Sequence, residues 1–308
     1  VSKADGYGIL KHELAKQRRH KPVRQLATEM GEAFTRLAPC MLMSPLSIAQ
    51  YLPPDQSLFD LVIFDEASQI APWDAVGSIA RGRQVVIAGD PRQMPPTNFF
   101  SRGDGDDGSD GGECLAAGVP RHLLTWHYRS RHESLITFSN HHYYDGSLVT
   151  FPAAVTKATA VEWRRVDGVY AKGIRTNQLE AKAIVAEAVK RLTDPAFLAA
   201  KRSLGIITLN SEQQKLIEDL LDQERSKRPA LERFFARDSQ EPVFVKNLET
   251  VQGDERDVIL LGICFGPTEP GAPAMSMNFG PLNKDGGWRR LNVALTRARH
   301  EMLAFTSF

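Results

Sequence analysis

The residues with the plainest chemical potential follow two short apolar runs. Leu61-Val62-Ile63-Phe64 leads directly into Asp65-Glu66, and Val85-Val86-Ile87-Ala88 leads into Gly89-Asp90, with Gln93 three residues further on. In an open parallel sheet, ligands bind outside the carboxyl ends of the strands. An aspartate at such an end can hold Mg²⁺, directly or through water, and a glutamate beside it can polarise an attacking water. Gln93 is an uncharged donor and acceptor, suited to a γ-phosphate or to the water that attacks it. Taken alone, Asp65-Glu66 serves equally as a cap for the next helix, and Pro91 to Pro96 as a proline-rich turn.

Three later segments have the same character. In His127-Tyr128-Arg129-Ser130-Arg131, a ring able to stack on a base precedes an arginine able to clamp a phosphoryl group. Thr250-Val251-Gln252-Gly253-Asp254-Glu255-Arg256-Asp257 is a polar, glycine-containing turn before an apolar run at 258–261. In Arg289-Arg290-Leu291-Asn292-Val293-Ala294-Leu295-Thr296-Arg297-Ala298-Arg299, apolar positions 291, 294 and 295 predict a helix over 291–299 with one buried face. Arg297 on it is a candidate arginine finger supplied in cis.

Something must position these side chains. The runs at 61–64 and 85–88 are continuous rather than alternating, as strands covered on both faces are, and 41–43 reads the same way up to the turn at Ser44-Pro45. A helix-length stretch, Pro72 to Arg81, completes a βαβ unit. Residues 7–37 read as helices broken at Pro22. Further on the spacing predicts strands at Leu123-Leu124, 205–208, 243–245, 258–261 and 302–305. Helices are predicted at 130–144, 178–192 and 211–225. The expected fold class is α/β.

Composition bounds the rest. The 308 residues are 24% charged and 42% hydrophobic, with net charge +1. They carry ample apolar content for cores, and no apolar run approaches the roughly 20 residues of a membrane helix. No membrane partner is therefore expected. Cys40, Cys114 and Cys264 lack metal spacing and read as reduced thiols, pointing to a cytoplasmic location. Residues 1–24 hold seven Lys/Arg against two acids, a local balance of +5, fit either for solvent or for phosphate contact. Residues 103–113 hold five acids and no base; a surface loop at the domain boundary is expected there. His127, His132, His141 and His142 are expected at helix surfaces and in packing, and Trp126 and Trp163 in the core. The start at Val1 without Met suggests a fragment or a processed chain.

In this order and at these spacings, the five segments resemble motifs II, III, IV, V and VI of superfamily 1 helicases. The branch they resemble is the up-frameshift-like one, with its Gln-Gly-x-Glu and Asn-Val-Ala-Leu-Thr-Arg-Ala-Arg. Coverage runs from about residue 40 to the end. Arg18-Arg19-His20 and Ser130-Arg131-His132-Glu133-Ser134-Leu135-Ile136 further resemble large bacterial helicases of that branch, which often carry a nuclease domain. The resemblance implies RecA-like parallel sheets flanked by helices. Residues 1–112 would be the C-terminal part of a first RecA-like domain, and 113–308 a complete second one. It implies ATP in the cleft between the domains, with Mg²⁺ on Asp65. Asp65, Glu66, Gln93, Arg129 and Arg297 would be catalytic, while Tyr128, Gly253 and Glu255 would bind the nucleotide. Ser44, Pro45, Thr208, Gln213, Thr250 and Asn292 would face single-stranded nucleic acid, DNA in preference to RNA.

Two departures stand out. No Gly-x-x-x-x-Gly-Lys-Ser/Thr occurs, so the P-loop is expected in a helicase region N-terminal to this chain, with an attached nuclease domain as a further partner. Leu248-Glu249-Thr250-Val251 stands where the branch usually has Val-Asp-Ser-Phe. The expected function is that of an ATP-dependent helicase or translocase, the isolated chain being inactive. The competing reading is a non-catalytic nucleic-acid-binding module that has lost its P-loop, against which the retained Asp65, Glu66, Arg129 and Arg297 argue.

Overall fold

The computed structural model describes residues 5–54, 56–95, 118–153, 159–236, 238–272 and 274–308. The acidic run 103–113, expected as a surface loop, lies outside them. Two compact units emerge, Val1–Pro91 with Pro95–Arg121, and Arg92–Met94 with His122–Phe308.

In the first unit three helices, α1 (Gly6–Leu14), α2 (Val23–Met30) and α3 (Glu32–Leu37), close over Ala27, Met30 and Ala33. Helix α2 starts after Pro22, whose fixed φ suits a helix start. Part of the basic N-terminal segment is consumed by the fold. Lys16 and the Lys21 backbone N–H both bond the buried Glu13, and Lys21 pairs with Glu29. Arg24 donates to the carbonyls of Ala49 (2.9 Å) and Leu52 (3.2 Å), satisfying the end of α4 (Pro45–Tyr51). The expected βαβ unit is present: β1 (Phe59–Phe64), α5 (Pro72–Ile79) and β2 (Gly82–Ile87), with β1 parallel to β2 from Phe59↔Gly82 to Phe64↔Ile87. Met41-Leu42-Met43 is not a strand. No described strand pairs with it, and Leu42 is 97% exposed. The two-stranded sheet leaves apolar side chains uncovered, Ile63 at 63% exposure among them.

The second unit is built on a five-stranded parallel sheet. Its strands are β5 (Val161–Arg165), β6 (Leu204–Thr208), β7 (Phe244–Asn247), β8 (Arg256–Gly262) and β9 (Ala298–Thr306), in the order β5-β9-β8-β6-β7. Strand residues alternate between two buried layers. Leu204, Ile206, Val258, Leu260 and Phe305 pack under α7 (Gln178–Thr193) and α9 (Ser211–Lys227). On the other face Ile207, Ile259, Leu261 and Met302 meet Val293 and Ala294 of α10 (Gly287–Leu295) and Leu135 of α6 (Ser134–Tyr143). A short pair, β3 (Trp126–His127) with β4 (Val149–Thr150), and a five-residue helix, α8 (Pro195–Ala199), complete the unit.

Three expectations need correction. The helix expected through Arg299 ends at Leu295, and Ala298–Thr306 is a strand instead. Pairing of β9 with β5 and β8 at once overrides the helical periodicity. The strand expected at Leu123-Leu124 starts at Trp126. Trp126 and Trp163 are 59% and 62% exposed rather than core. Trp163 stands on the edge strand β5, where its indole N–H donates to Thr306 Oγ1 at 2.6 Å. Among the described residues no helix is long and apolar enough to cross a membrane.

The carboxyl ends of the central strands are closed by a buried polar network. Asn177 Nδ2 donates to Ser307 Oγ (2.8 Å) and to the Cys264 carbonyl (3.2 Å). Gln213 Oε1 accepts the Asn177 N–H (2.9 Å), and Glu180 Oε1 accepts the Cys264 N–H (2.7 Å). Burial pushes the Glu180 carboxyl up to about 8, partly offset by the Cys264 bond. Its stabilising contribution is therefore whole below the ordinary carboxyl range near 4.5 and is lost as pH rises towards 8. Glu180→Gln keeps the acceptor without the titration. Its stability relative to the parent should grow from pH 5 to pH 8.5 in urea melts, and a difference independent of pH would contradict the assignment.

Candidate functional site

In the first unit Asp65 follows the last residue of β1 and is exposed. Its Oδ1 accepts the Glu66 N–H at 3.0 Å. Glu66 is left-handed, φ +51, a conformation costly for a residue with a Cβ and held here by its surroundings. The turn behind it is tied to the neighbouring strand, Ala67 N–H bonding the Ala88 carbonyl at 2.9 Å. Gly89 closes this end: a Cβ there would stand 2.9 Å from the Ser68 nitrogen and 3.2 Å from the Ala67 nitrogen. Both acids thus sit at a strand's carboxyl end.

In the second unit the motif residues gather at the amino ends of β8 and β9. The β8–β9 register begins at Arg256↔Ala298, so the residues before each strand, Glu255 and Arg297, emerge side by side. Arg129 Nε donates to Glu255 Oε2 at 2.5 Å across 126 residues of chain. Gly253 has φ +87, a backbone conformation open to glycine. Tyr128 is 76% exposed, its ring free of the core. Arg297 is only 2% exposed. Its guanidinium donates to the Val293 carbonyl (2.8 Å) and Thr296 Oγ1 (2.9 Å), with a longer bond to the Asp254 carbonyl (3.4 Å). His127 fixes the turn before Arg129: its Nε2 accepts the Ser130 N–H at 3.3 Å and lies 2.8 Å from Ser130 Oγ. Burial, and then the Arg129 charge, hold His127 below its ordinary value, which keeps Nε2 an acceptor.

The remaining expected residues separate by burial. Gln93 belongs to the second unit, in the segment Arg92–Met94. Met94 packs in the layer under α10, and the Arg92 carbonyl accepts from Asn292 Nδ2 at 2.8 Å. Asn292 is fully buried and also donates to Tyr144 Oη at 3.0 Å. Thr208 and Gln213 are fully buried at the carboxyl end of β6; Gln213 Nε2 bonds the Asn177 carbonyl at 3.1 Å. Any influence of these three on a strand passes through the loops they brace. Thr250 is exposed, its hydroxyl in a turn with Asn247. Ser44 is exposed and caps α4 by accepting the Ser47 N–H (3.2 Å), with Pro45 opening the helix.

Sequence reading named Glu255 but missed Arg299 and its other partners. Arg299 grips both oxygens of Glu241 (2.8 and 2.5 Å), Asp257 Oδ1 (2.8 Å), Ser203 Oγ (3.0 Å) and, more loosely, Glu255 Oε1 (3.4 Å). The Arg299 hydrogen bond holds Glu241 below the usual carboxyl range. Burial alone would raise Asp257, but the Ser203 N–H and Arg299 outweigh it and lower the group. Glu241 carried no sequence signal. Asp257 and Arg299 are the last residues of two recognised segments, and only strand pairing brings them together.

A parallel α/β unit thus brings Arg129, Glu255 and Arg297 together at the amino ends of two neighbouring strands. Two sequence profiles, each described as an AAA domain, match residues 113–307 and 12–101. The chain belongs to this AAA-domain family, with relatives among superfamily 1 helicases of the up-frameshift-like branch. It is 33% identical over 293 residues to an uncharacterized ATP-dependent helicase of Mycoplasma pneumoniae, the MG140 homolog, covering 88% of this chain and 25% of that protein. It is 27% identical over 265 residues to the DNA replication ATP-dependent helicase/nuclease DNA2 of Gallus gallus, covering 80% of this chain and 23% of that protein. The chain thus spans about a quarter of the length of these relatives. The solved arterivirus nonstructural protein 10 helicase with DNA aligns over 98% of this chain and 58% of its own, at 13% identity and TM-score 0.41.

Gly89→Ala forces a Cβ against backbone that cannot rotate away. It should cost about 1–3 kcal/mol of first-unit stability, as overpacking does. Urea melts followed by a probe in the first unit check this; an unchanged midpoint would refute the contact.

Proposed function

We propose that the chain is part of the motor of an ATP-dependent helicase that moves on single-stranded nucleic acid, DNA in preference to RNA. The observation that supports this best is the gathering of Tyr128-Arg129, Gly253-Glu255 and Arg297 at one end of the second sheet, from three distant segments. A structural ion pair needs neither the exposed tyrosine nor the glycine turn beside it.

In the first unit Asp65 suits Mg²⁺. Its carboxylate is exposed at a strand end and forms no ion pair among the described residues. The metal would neutralise charge on the nucleotide's β- and γ-oxygens. Glu66 orients the attacking water and takes its proton. Gln93, in the second unit, hydrogen-bonds the terminal phosphoryl group. In the second unit Tyr128 stacks on the adenine. Arg129 supplies two terminal nitrogens to phosphate oxygens, and Arg297 adds charge from a largely dehydrated position, where it is screened least. Gly253 lets the backbone approach the nucleotide. Thr250 and Ser44 offer exposed hydroxyls to the nucleic acid, while Thr208, Gln213 and Asn292 brace the loops beneath.

The phosphate cradle lies, on this reading, in polypeptide beyond these 308 residues. Support comes from the missing Gly-x-x-x-x-Gly-Lys-Ser/Thr, from the exposed apolar side chains of β1 and β2, and from the quarter-length match to relatives. An attached nuclease domain fits the helicase/nuclease relative. The free thiols Cys40 and Cys264 fit a cytoplasmic location.

The test is ATP turnover of the intact protein with and without single-stranded DNA and RNA. Hydrolysis stimulated by the strand is expected, and Arg129→Gln should lower kcat by about 10³-fold or more. Strand binding without any hydrolysis would favour the non-catalytic module. The 308-residue chain alone should not turn over ATP; ordinary helicase rates from it would sink the proposal of an external P-loop. The same chain should bind single strands weakly, with affinity falling steeply between about 50 and 200 mM salt. Indifference to salt would exclude a phosphate-dominated mode.

A further inference from the structure

Among the described residues Arg129 uses only one of its donors. Nε is taken by Glu255 Oε2 at 2.5 Å, and no described residue hydrogen-bonds its two terminal nitrogens. Both partners of the pair are partly exposed to solvent. The two terminal nitrogens carry the parallel N–H groups that match two oxygens of a phosphoryl group.

What fixes Glu255 is Arg299, and what aims Arg299 is a bulge. The β8–β9 register passes from Arg256↔Ala298 to Val258↔Glu301, so Asp257 alone faces both Arg299 and His300. The extra residue on β9 turns Arg299 toward Asp257, as bulges re-aim side chains. From there its guanidinium reaches Glu241, Ser203 and Glu255. Its main chain acts as well: the Arg299 carbonyl accepts the Arg131 N–H at 2.7 Å, which pins the segment carrying Arg129 to the same strand. Arg299 is mostly buried and committed to three carboxylates, so it is the immobile member of the series.

We infer that Glu255 and Arg299 are positioning residues for Arg129. Arg299 locks Glu255, and Glu255 locks the guanidinium plane through Nε, which leaves both terminal nitrogens aimed at phosphate. This deepens the proposed function and rests on its reading of Arg129 as a phosphate ligand. The alternative role for Glu255, a direct bond to the nucleotide's sugar, competes for the same carboxylate and gives a different kinetic signature.

Two measurements test it. The first needs no nucleotide: the ¹⁵N–¹Hε resonance of Arg129 in the 308-residue chain. In the parent it should be shifted downfield and protected from exchange. Glu255→Ala should abolish that signature and Glu255→Gln, which keeps an acceptor, should retain most of it. Arg299→Lys, which preserves charge but not the multiple grip, should weaken it although residue 299 does not bond Arg129, in a variant whose circular dichroism and melting show that it is folded. An Arg129 signal indifferent to residues 255 and 299 overturns the inference. The second is steady-state ATP hydrolysis by the intact protein. Positioning predicts that Glu255→Ala lowers kcat about tenfold or more, with KM for ATP level or reduced, and that Glu255→Gln recovers much of the loss. A rise in KM with kcat unchanged assigns Glu255 to the sugar and overturns positioning. If the resonance behaves as expected but Arg129→Gln leaves kcat intact, the phosphate role of Arg129 fails and not the series that orients it.

Discussion

The site on the second unit depends on one pairing, β8 against β9. Both strands run parallel from the same end, and their register starts at Arg256↔Ala298. The Arg256 N–H bonds the Arg297 carbonyl at 3.2 Å, so the turn carrying Glu255 and the turn carrying Arg297 cannot move independently. Without that pairing Glu255 and Arg297, more than forty positions apart in the chain, would have no reason to meet. Each strand is also packed on both faces, and apolar layers of Val258, Leu260, Ile259 and Leu261 leave little freedom to slip. A shift by one residue would exchange the two faces and mispack both layers.

The two ends of this sheet handle polar groups differently. At the amino ends charges are paired: Arg299 meets three carboxylates, and Arg129 shares one of them. These groups stay partly open to solvent, which keeps the desolvation cost below that of fully buried pairs. At the carboxyl ends Asn177, Gln213, Asn210 and Ser307 are buried and interlocked by neutral hydrogen bonds, with Cys264 left-handed at φ +68 among them. Among the described residues the buried acid there is Glu180, pushed up to about 8 by burial. The charged end stays open to solvent. The closed, neutral end holds a loop geometry and is built to stay as it is.

The first unit shows the same logic at smaller scale. The acids after β1 are placed by a turn that folds against Gly89, where a side chain has no room. Its strands carry apolar residues suited to cover on both faces, yet among the described residues Ile63, Leu61 and Val86 remain exposed.

Much of this was legible in the residue order. Continuous apolar runs marked β1, β2, β6 and β8, because strands buried on both faces need no polar alternation. Acids directly after β1, and a polar turn with glycine before β8, marked strand ends for chemistry. The spacing announced helices at 178–192 and 211–225; the structure carries them to 193 and 227 and adds the caps Asn177 and Asn210, whose side chains accept the Glu180 and Gln213 N–H groups. Tertiary structure decided what local pattern cannot carry. Ala298–Thr306 has helical spacing at its start but is drawn into the sheet by two neighbours. Thr208, Gln213 and Asn292 sit in motifs that suggested a ligand, yet the strands and helices around them take their side chains into the interior. Arg299 is one arginine among several in its segment. It becomes the hub of the charged array only because a bulge turns it toward Asp257 and brings it to Glu241, 58 positions away in the chain. Residue type sets which bonds a side chain can make; long-range pairing selects the partner.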